Sequence, residues 1–373
     1  MVYNRLMTFN WQQDDWKNFT HDPHVIEDAL IVFANHVGRS DGLLEGLAEE
    51  TRTDALIEIM IAEAIKTSVI EGEYLSRQDV MSSIRNNLGI AGENEHVGDK
   101  RAQGAADLMV AVRKHYDAPL SEDMLFEWHK MLMSGNSGVK VGAWRTHSEA
   151  MQVVSGPIGR QKIHFEAPPS SDVPAEMTEF FAWFNGTAPD GNNPITKPVI
   201  RSAIAHIYFE TIHPFEDGNG RIGRAISEKA LSQGLARPVL LSLSKTIEAN
   251  RNAYYDALKA AQRSNEITPW IVFFADICVR AQIDAEAQIE FTLKKTKFLD
   301  RHKGNLNARQ LKVVDRMLEE GPAGFEGGMS AKKYISITKT SKATATRDLQ
   351  DLAAKGVVVS EGAGRNVRHH INL

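Results

Sequence analysis

Twelve residues near the middle of this 373-residue chain carry its strongest signal: His213-Pro214-Phe215-Glu216-Asp217-Gly218-Asn219-Gly220-Arg221-Ile222-Gly223-Arg224. They bring together a base, a carboxylate, a glycine-rich turn and two guanidinium groups. Glycines let the backbone approach a ligand closely, and a helix N-terminus offers free N–H groups and a positive dipole end. Two arginines spaced three residues apart share one helix face and add fixed positive charge. The stretch therefore predicts a site for an anion, above all phosphate.

The sequence on either side predicts two helices joined by a turn. Residues 199–212 are apolar nearly all round and contain neither Gly nor Pro, which is typical of a buried helix. Pro214 removes a backbone donor and disfavours helical geometry at His213, so we expect the first helix to end near that histidine. Residues 221–231 predict the second helix, and the glycine-rich turn would enter it.

Other interpretations of the same residues fit less well. Residues 218–223 have the spacing of a dinucleotide-binding fingerprint, but that fingerprint must follow a strand and here it follows a helix. Residues 217–219 begin like a calcium loop, but Arg221 stands at the next ligand position. His206 and His213 have no partner at zinc-binding spacing. A capped helix-loop-helix without a ligand would leave the clustering of charged groups unexplained.

The whole segment resembles the core motif of the Fic (Fido) family. That motif reads His-Pro-Phe-x-Asp/Glu-Gly-Asn-Gly/Lys-Arg, usually with a second arginine three residues on, and every position matches here. Members of the family mostly transfer AMP from ATP to a hydroxyl group on a protein. The resemblance implies the same substrate, ATP, and the same class of reaction for this chain. Because the nucleophile belongs to the target, no serine or cysteine nucleophile is needed on the chain itself.

The resemblance also implies a role for each polar residue of the motif. His213 would be the general base that takes the proton from a Ser, Thr or Tyr hydroxyl of the target. Asp217 would hold Mg²⁺ against the α- and β-phosphates of ATP. Arg221 would bind phosphate, and Arg224 would bind the γ-phosphate. The anion nest would be formed by Gly218, Asn219 and Gly220. The chemistry agrees with these roles, because histidine titrates near neutrality while the metal and arginines neutralise charge as pyrophosphate leaves.

A second segment resembles the inhibitory helix of the family. Residues 56–72 predict a buried helix with Gly72 as its C-cap. From the residues alone, Glu71 would be an exposed charge in a last turn, where the helix dipole disfavours it. The family's inhibitory helix carries Ser/Thr-x-x-x-Glu-Gly/Asn, and the run from Thr67 to Gly72 fits. The resemblance implies that Glu71 forms a salt bridge with Arg224 and blocks productive placement of the γ-phosphate.

Two weaker stretches fit the same picture. Residues 151–154 and 161–165 flank a turn rich in Gly and Pro and predict a hairpin, which by itself would be an ordinary surface hairpin. In the Fic family a flap at this position, after a Gly-x-Tyr-Arg-like element (here residues 142–145), pairs with an extended loop of the target. The resemblance implies that a flap over residues 151–165 holds an unidentified target protein. Asn250 and Tyr254 resemble the segment beside adenosine, although a tyrosine packed in a helix core explains Tyr254 equally well.

Composition is that of an ordinary globular chain. Hydrophobic residues make up 42% and the net charge is −5, so the chain as a whole is not a nucleic-acid-coating protein. Cys278 is the one cysteine, which excludes an internal disulfide, suits a reducing compartment and predicts a packed core residue. No signal peptide begins the chain and no apolar run reaches membrane-spanning length. We therefore expect a cytoplasmic protein with no membrane partner.

The helical patterns, and the Gly, Pro and polar segments that interrupt them, predict a mainly α fold in three parts. These are an N-terminal helical region over 1–95 with the inhibitory helix, a Fic-type core over 96–295 with a small β-hairpin flap, and a C-terminal domain over 305–373. The last part contains three helices and a hairpin, which resembles a winged helix-turn-helix.

In a winged helix-turn-helix the third helix enters the major groove. This would put Lys342, Thr344 and Arg347 near DNA. Asp348 and Asp351 would dilute that positive face, and many such modules mediate only protein contacts, so both kinds of partner stay open.

Taken together, these patterns predict a self-inhibited, Mg²⁺-dependent protein adenylyltransferase that modifies a Ser, Thr or Tyr hydroxyl of a target or of itself. Two alternatives remain at this point. A glutamate placed like Glu71 could position a water and remove AMP from a modified protein. Alternatively, the core senses a nucleotide and the C-terminal domain acts as a DNA-binding transcriptional regulator. Family members often dimerise, but nothing in the sequence requires a homodimer, and the target protein cannot be read from it.

Overall fold

The computed structural model describes residues 8–90, 95–135, 138–155, 162–363 and 366–373, and it is mainly helical. The helices are α1 Glu27–Glu45, α2 Glu49–Ile70, α3 Arg77–Asn87, α4 Lys100–Lys114, α5 Glu122–Leu132, α6 Val173–Gly186, α7 Pro198–Ile212, α8 Asn219–Gly234, α9 Leu243–Ala249, α10 Arg251–Ala261, α11 Thr268–His302, α12 Ala308–Leu318, α13 Ala331–Thr338 and α14 Lys342–Ala354. The strands are β1 Gln152–Ser155, β2 Lys162–Glu166, β3 Val358–Glu361 and β4 Arg368–Ile371, paired as two antiparallel hairpins. The predicted fold class, mainly α with a small β-hairpin, is confirmed, while the winged-helix assignment stays a prediction.

The chain divides into two compact units. The first comprises the residues up to Gly38 together with Leu56–Ala285, and the second comprises Arg39–Ala55 and Glu286–Leu373. Helices α2 and α11 each contribute residues to both units, because the division falls within them. The predicted domain boundaries, near residues 95 and 305, stay predictions.

Helix α7 is the buried centre of the first unit. Every residue from Val199 to Ile212 is buried, as its apolar sequence predicts. Two polar side chains on it, those of Ser202 and His206, bond to Ser227 of the neighbouring helix α8. The Ser202 hydroxyl donates to the carbonyl of Ser227 at 2.8 Å, which satisfies a group that would otherwise destabilise the core. Helices α7 and α8 therefore form the closely packed pair that holds the twelve-residue motif between them.

Helices α2, α4, α5 and α6 surround this pair with large apolar side chains. Aromatic rings fill much of the space; Phe180 meets Tyr208 edge-on with 5.1 Å between ring centroids. Helix α4 comes close to α5 because Gly104 has no side chain, and a Cβ there would collide with the carbonyl oxygen of Met131. Burial of this apolar surface is the main favourable contribution to folding, and it fixes the end of α5 against the motif.

Strands β1 and β2 form the hairpin that the sequence predicts. Their register pairs Val153 with Phe165. Phe165 is buried and meets Phe9 edge-on at 5.0 Å, whereas Val154 and Ile163 are exposed. One face of the hairpin is therefore fixed to the core and the other presents apolar side chains to solvent. The middle of the predicted flap, residues 156–161, lies outside the described residues.

Helix α11 spans 35 residues and contains Cys278. The thiol is buried, and burial raises its pKa well above the ordinary value, as expected of an unreactive core cysteine. Within the described ranges, none of the helices has both the length and the apolar character that crossing a membrane requires.

In the second unit, helices α12 to α14 and the β3–β4 hairpin occur where the sequence predicts three helices and a hairpin. Asn307 caps α12 by accepting from the backbone amides of the first turn, and Ser330 and Ser341 cap α13 and α14. The helices enclose a separate apolar core that includes the fully buried Tyr334. Local capping and a core of its own explain why this region forms without the twelve-residue motif.

One of the two acidic residues of α14 lies differently from the prediction. The Asp348 carboxylate is turned into the unit, where it accepts from Arg309 Nε at 2.9 Å and from the Tyr334 hydroxyl at 2.9 Å. Asp351 is exposed, and its carboxylate accepts from Gln310 Nε2 at 2.8 Å and from Lys355 Nζ at 2.5 Å. The prediction that Asp348 dilutes the exposed positive face of α14 is therefore wrong, whereas Asp351 does lie at the surface.

We expect Gly104→Ala to lower the free energy of unfolding by about 1–3 kcal/mol, because an added methyl group must displace the backbone of Met131. The matched control is Gly38→Ala on α1, where an added Cβ meets nothing within 4 Å. That change should raise stability by up to about 1 kcal/mol through the better helix propensity of alanine. Urea unfolding followed by circular dichroism measures both variants; equal midpoints for the two would contradict the close α4–α5 contact.

Candidate active site

The end of α7 gives His213 its unusual backbone. His213 caps the helix in the left-handed region with φ 51° and ψ 58°, and its N–H donates to the carbonyl of Phe209 at 2.9 Å. The following Pro214 excludes ordinary helical geometry at this residue. Arg145 Nε donates to the carbonyl of His213 at 2.8 Å, and Nη2 donates to the carbonyl of Ile212 at 3.2 Å. A buried cation at the helix C-terminus thus holds a strained residue in place.

The imidazole of His213 is held neutral by its surroundings. Burial, and to a lesser extent the nearby charge of Arg145, lowers its pKa to about 4. The ring atom Nδ1 is buried without a hydrogen-bond partner, and the nearest carboxylate oxygen, Glu210 Oε2, lies 3.8 Å away. A neutral imidazole has a free lone pair and can accept a proton, so the residue predicted as the base is in the form a base requires.

The N-terminus of α8 has the features of an anion nest. Gly218 is in the left-handed region with φ 82°, which favours glycine, and the first intrahelical bond runs from Ile222 N–H to the Gly218 carbonyl at 3.0 Å. The three amides before Ile222, those of residues 219–221, have no carbonyl within the helix to donate to, because they belong to its first turn. The Asn219 side chain bonds instead to both backbone groups of Phe215, at 2.8 and 2.9 Å. It shapes the loop, so only its backbone amide is left for an anion.

Helix α2 supplies the partners of Arg224. The guanidinium donates from Nε to the Thr67 hydroxyl at 2.8 Å and from Nη2 to the Thr67 carbonyl at 3.0 Å and Glu71 Oε1 at 2.7 Å. Its side chain is only 2% exposed. Burial lowers the pKa of Arg224, but the charge and hydrogen bond of Glu71, together with Tyr254 and Glu210, outweigh burial and raise it above the ordinary value. A Cβ on Gly220 would collide with the Glu71 carboxylate, which therefore lies directly against the nest.

Arg221 is bound by a second carboxylate that sequence reasoning missed. Its Nη1 lies 2.8 Å from Glu73 Oε2, and the arginine side chain is 3% exposed. Gly72, in the left-handed region with φ 84°, turns the chain between Glu71 and Glu73, so the two carboxylates face two different arginines. The sequence does contain a feature that could have predicted this contact, because a second glutamate follows the C-cap glycine directly.

Asp217 is suited to bind a metal ion that is also bound by the phosphates of a substrate. One of its oxygens accepts from the Gly218 amide at 2.6 Å, and its side chain is about half exposed at the mouth of the loop. Among the described residues no group of three or more His, Cys, Asp or Glu side chains could hold a metal ion. Mg²⁺ is usually bound by one or two carboxylates together with substrate phosphates and water. A single open carboxylate therefore fits Mg²⁺ that arrives with a nucleotide.

His129, on α5, was not predicted but fixes the loop. Its ring stacks on Phe215 at 4.1 Å, and Nδ1 accepts from the Gly142 amide at 2.8 Å. The other nitrogen, Nε2, must then carry the proton and donates to the Asp217 carbonyl at 3.2 Å. Burial lowers the pKa of His129 and favours this neutral form. Nothing in the sequence near His129 marks it, because its partners are distant in the chain.

The two residues predicted beside adenosine differ in exposure. Asn250, between α9 and α10, is exposed and free to meet a ligand. Tyr254 is 1% exposed, and its hydroxyl donates to His206 Nε2 at 2.8 Å. The direction follows from the neighbouring bonds. The Ser227 hydroxyl donates to the Gly223 carbonyl at 2.9 Å, so it accepts from His206 Nδ1–H. The other ring nitrogen of His206, Nε2, is then unprotonated and accepts from Tyr254. The hydroxyl of Tyr254 is thus already used within the core, and its adenosine role stays a prediction.

The structure brings together the residues predicted for the site, apart from those at its adenosine end. A neutral histidine, a helix N-terminus with free amides, two buried arginines and a half-exposed carboxylate lie together where α7 ends and α8 begins, an arrangement suited to an anion. Residues 119–231 match the sequence model of the Fic/DOC family. This part of the chain is therefore a Fic/DOC domain, and the family resemblance inferred from the sequence is confirmed. Residues 9–90 match a second family described as a domain of unknown function (DUF4172).

Relatives and solved structures agree with this assignment. The chain is 26% identical over 266 residues to protein adenylyltransferase fic-1 of Caenorhabditis briggsae, covering 69% of the chain and 47% of that protein. It is 32% identical over 117 residues to protein adenylyltransferase Fic of Drosophila yakuba, covering 31% and 21%. The chain thus spans less than half of these relatives. A Fic family protein from Desulfovibrio desulfuricans shares the fold with a TM-score of 0.51 at 22% identity, covering 94% of this chain and 97% of that one.

We expect His213 to stay neutral well below the ordinary histidine range in the ligand-free protein. Because burial and the Arg145 charge lower its pKa to about 4, its ring signals in a two-dimensional NMR titration should move little between pH 8 and pH 5.5. A His213 midpoint near 6.5 would contradict the buried environment described above.

We expect removal of either carboxylate in the turn after α2 to strengthen the binding of inorganic tripolyphosphate. Glu71→Gly frees Arg224 and Glu73→Gln frees Arg221, and each should lower Kd at least tenfold, equivalent to about 1.4 kcal/mol. Glu58→Gln is the control, since Glu58 lies within α2 and pairs with Arg77. Calorimetry measures all three. An effect of Glu58→Gln as large as the others would show that only net charge matters.

Proposed function

We propose that the chain is a Mg²⁺-dependent protein adenylyltransferase that transfers AMP from ATP to a hydroxyl of a target protein and is held inactive by α2. One observation carries the proposal: a carboxylate, that of Glu71, lies against the anion nest and binds a buried arginine of the motif. A carboxylate there takes the position that a terminal phosphate would need. The names of the relatives, protein adenylyltransferases, support the same class of reaction.

The residues of the site account for each part of such a reaction. The oxygen of the target hydroxyl forms a bond to the α-phosphorus of ATP, and the hydroxyl proton passes to His213. The bond from the α-phosphorus to the oxygen that bridges to the β-phosphate breaks, and pyrophosphate is released. Arg221 and the amides at the start of α8 bind the phosphates and stabilise the charge that develops. Arg224 binds the γ-phosphate once Glu71 has moved away. Asp217 would hold Mg²⁺, which supplies further positive charge beside the leaving group.

Inhibition in this proposal is electrostatic and steric together. While Glu71 is paired with Arg224, a γ-phosphate would have to displace a buried, charge-assisted bond and also meet a like charge. The nucleotide would then either fail to bind or bind with its α-phosphorus misplaced relative to His213. Thr67 contributes by holding the remaining donors of Arg224 through its hydroxyl and carbonyl. Removal of AMP, with Glu71 positioning water, is the alternative use of the same contacts.

The β1–β2 hairpin is where we propose that the target binds. Its exposed face carries Val154 and Ile163, and a two-stranded hairpin leaves strand edges that an extended segment can pair with. Self-modification at an exposed hydroxyl, and association into a homodimer, are compatible with this surface, and the target protein is still to be found. A cytoplasmic location likewise stays a prediction.

Incorporation of label from α-labelled ATP tests the proposed activity. We expect Glu71→Gly to raise labelling of the protein itself or of a protein in lysate at least tenfold over the parent. Adding His213→Ala should abolish the gain, whereas adding His24→Ala, at an exposed histidine, should not. Label from γ-labelled ATP should not be incorporated. If Glu71→Gly binds MgATP but labels nothing under any condition, the transferase proposal is wrong.

A second candidate function is supported by the charge of the second unit. Residues 303–373 contain twelve Lys and Arg against seven Asp and Glu, although the whole chain is at −5. Lys342 and Arg347 on α14 are exposed, and Lys339 lies in the turn before that helix. Asp348 is buried and paired with Arg309, and the charge of the exposed Asp351 is offset by Lys355, so Lys342 and Arg347 give the start of α14 a positive surface. We propose that this surface binds duplex DNA.

The DNA proposal predicts that Lys342→Glu with Arg347→Glu weakens binding to a random-sequence duplex at least tenfold and lowers the dependence of log Kd on log salt concentration by about 2. Lys303→Glu with Lys312→Glu is the control, because it changes the charge of the same unit equally. Fluorescence anisotropy measures both. Equal losses in the two double variants, or no binding by the parent chain, would exclude α14 as the contact.

A further inference from the structure

Glu210 is a buried carboxyl group that the proposed mechanism does not use. It lies on the last turn of α7, three residues before His213, and its side chain is about 6% exposed. Its oxygen Oε1 is buried without a hydrogen-bond partner, and so is Nδ1 of His213. Oε2 of the same carboxyl group is 3.8 Å from that nitrogen. Two buried polar groups that lack partners and face each other are unusual, because each costs about 1–3 kcal/mol.

The position of Glu210 is fixed by close packing. A Cβ on Gly223 of α8 would collide with Glu210 Oε1, so this glycine makes room for the carboxyl group. Gln262 Nε2 donates to the Glu210 carbonyl at 3.2 Å and holds the backbone from the other side.

We propose that Glu210 is a positioning residue for the transferase reaction: it accepts a hydrogen bond from His213 Nδ1–H and so leaves Nε2 as the basic nitrogen facing the target hydroxyl. The inference rests on the proposed function. When Nε2 takes the hydroxyl proton, the ring becomes positive, and Nδ1–H then donates to a negative group. The proton on Nδ1 does not move, and Glu210 neither gains nor loses a proton in this step.

Charge on Glu210 depends on the groups that face it. Burial raises its pKa to about 8, an outcome that includes a lowering by the positive charge of Arg224 and a raising by the negative charge of Glu71. His213 lies beside it, and Tyr254 on α10 interacts electrostatically with it. In the proposed reaction a phosphate replaces Glu71 beside Arg224, so a negative charge near Glu210 is retained. Stabilisation of the imidazolium should grow as pH rises through that pKa, because only the ionised carboxylate offsets the new positive charge.

Three variants of Glu210 in the full-length Glu71→Gly protein test this. Glu210→Gln resembles the protonated carboxyl, Glu210→Leu removes the acceptor, and Glu210→Asp keeps the charge on a shorter side chain. Initial labelling rates with α-labelled ATP are measured from pH 5.5 to 8.5, with KM for ATP and thermal stability recorded for each. The parent for comparison is Glu71→Gly alone, whose labelling also tests the proposed function separately.

At pH 8 we expect Glu210→Gln to lower kcat at least tenfold with KM for ATP within threefold, and Glu210→Leu to lower kcat further. The ratio of parent to Gln rates should fall toward one as pH is lowered, and Glu210→Asp should recover part of the rate. A ratio below two at pH 8, or a ratio that stays constant across the pH range, would overturn the inference while leaving the transferase proposal standing. Failure of Glu71→Gly itself to label would instead overturn the proposed function.

Discussion

The buried guanidinium of Arg224 is the group on which the arrangement of the site depends. A cation with 2% exposure needs partners for its donors, since leaving a buried charge uncompensated costs several kcal/mol. In this structure the partners come from α2, through Thr67 and Glu71. Any state in which α2 withdraws must therefore offer Arg224 another anion. In the proposed function a nucleotide triphosphate would provide one, and binding of substrate and release of α2 would then be in the same equilibrium.

Glu73 adds a second contact that must also break before α2 can withdraw. The turn at Gly72 places two carboxylates on two arginines, so the end of α2 covers both positive groups of the motif at once. The two contacts differ. Arg224 donates to the hydroxyl and the carbonyl of Thr67 and to the Glu71 carboxylate. Arg221 is paired with Glu73 and also lies 3.8 Å from Asp217. We infer that a partial displacement, which frees one arginine and not the other, is a distinct step between the inhibited and the open states.

Much of the site could be predicted because its residues are adjacent in sequence. The end of α7 at His213 follows from Pro214, and the nest follows from the spacing of the glycines. What could not be predicted depends on contacts between distant parts of the chain. His129 and Arg145 act on the loop from α5 and from the segment before β1, and no local pattern distinguishes them from core residues. Asp348 was misjudged for the same reason, since its partner Arg309 is 39 residues away.

The central claim is that Arg224 exchanges the Glu71 carboxylate for the terminal phosphate of a nucleotide. A crystal structure of the Glu71→Gly protein with ATP and Mg²⁺ tests it most directly. We expect the γ-phosphate within hydrogen-bond distance of Arg224, the Mg²⁺ on Asp217, and the α-phosphorus open to a hydroxyl placed next to His213. Triphosphate density elsewhere, with Arg224 turned to another protein group, would contradict the account.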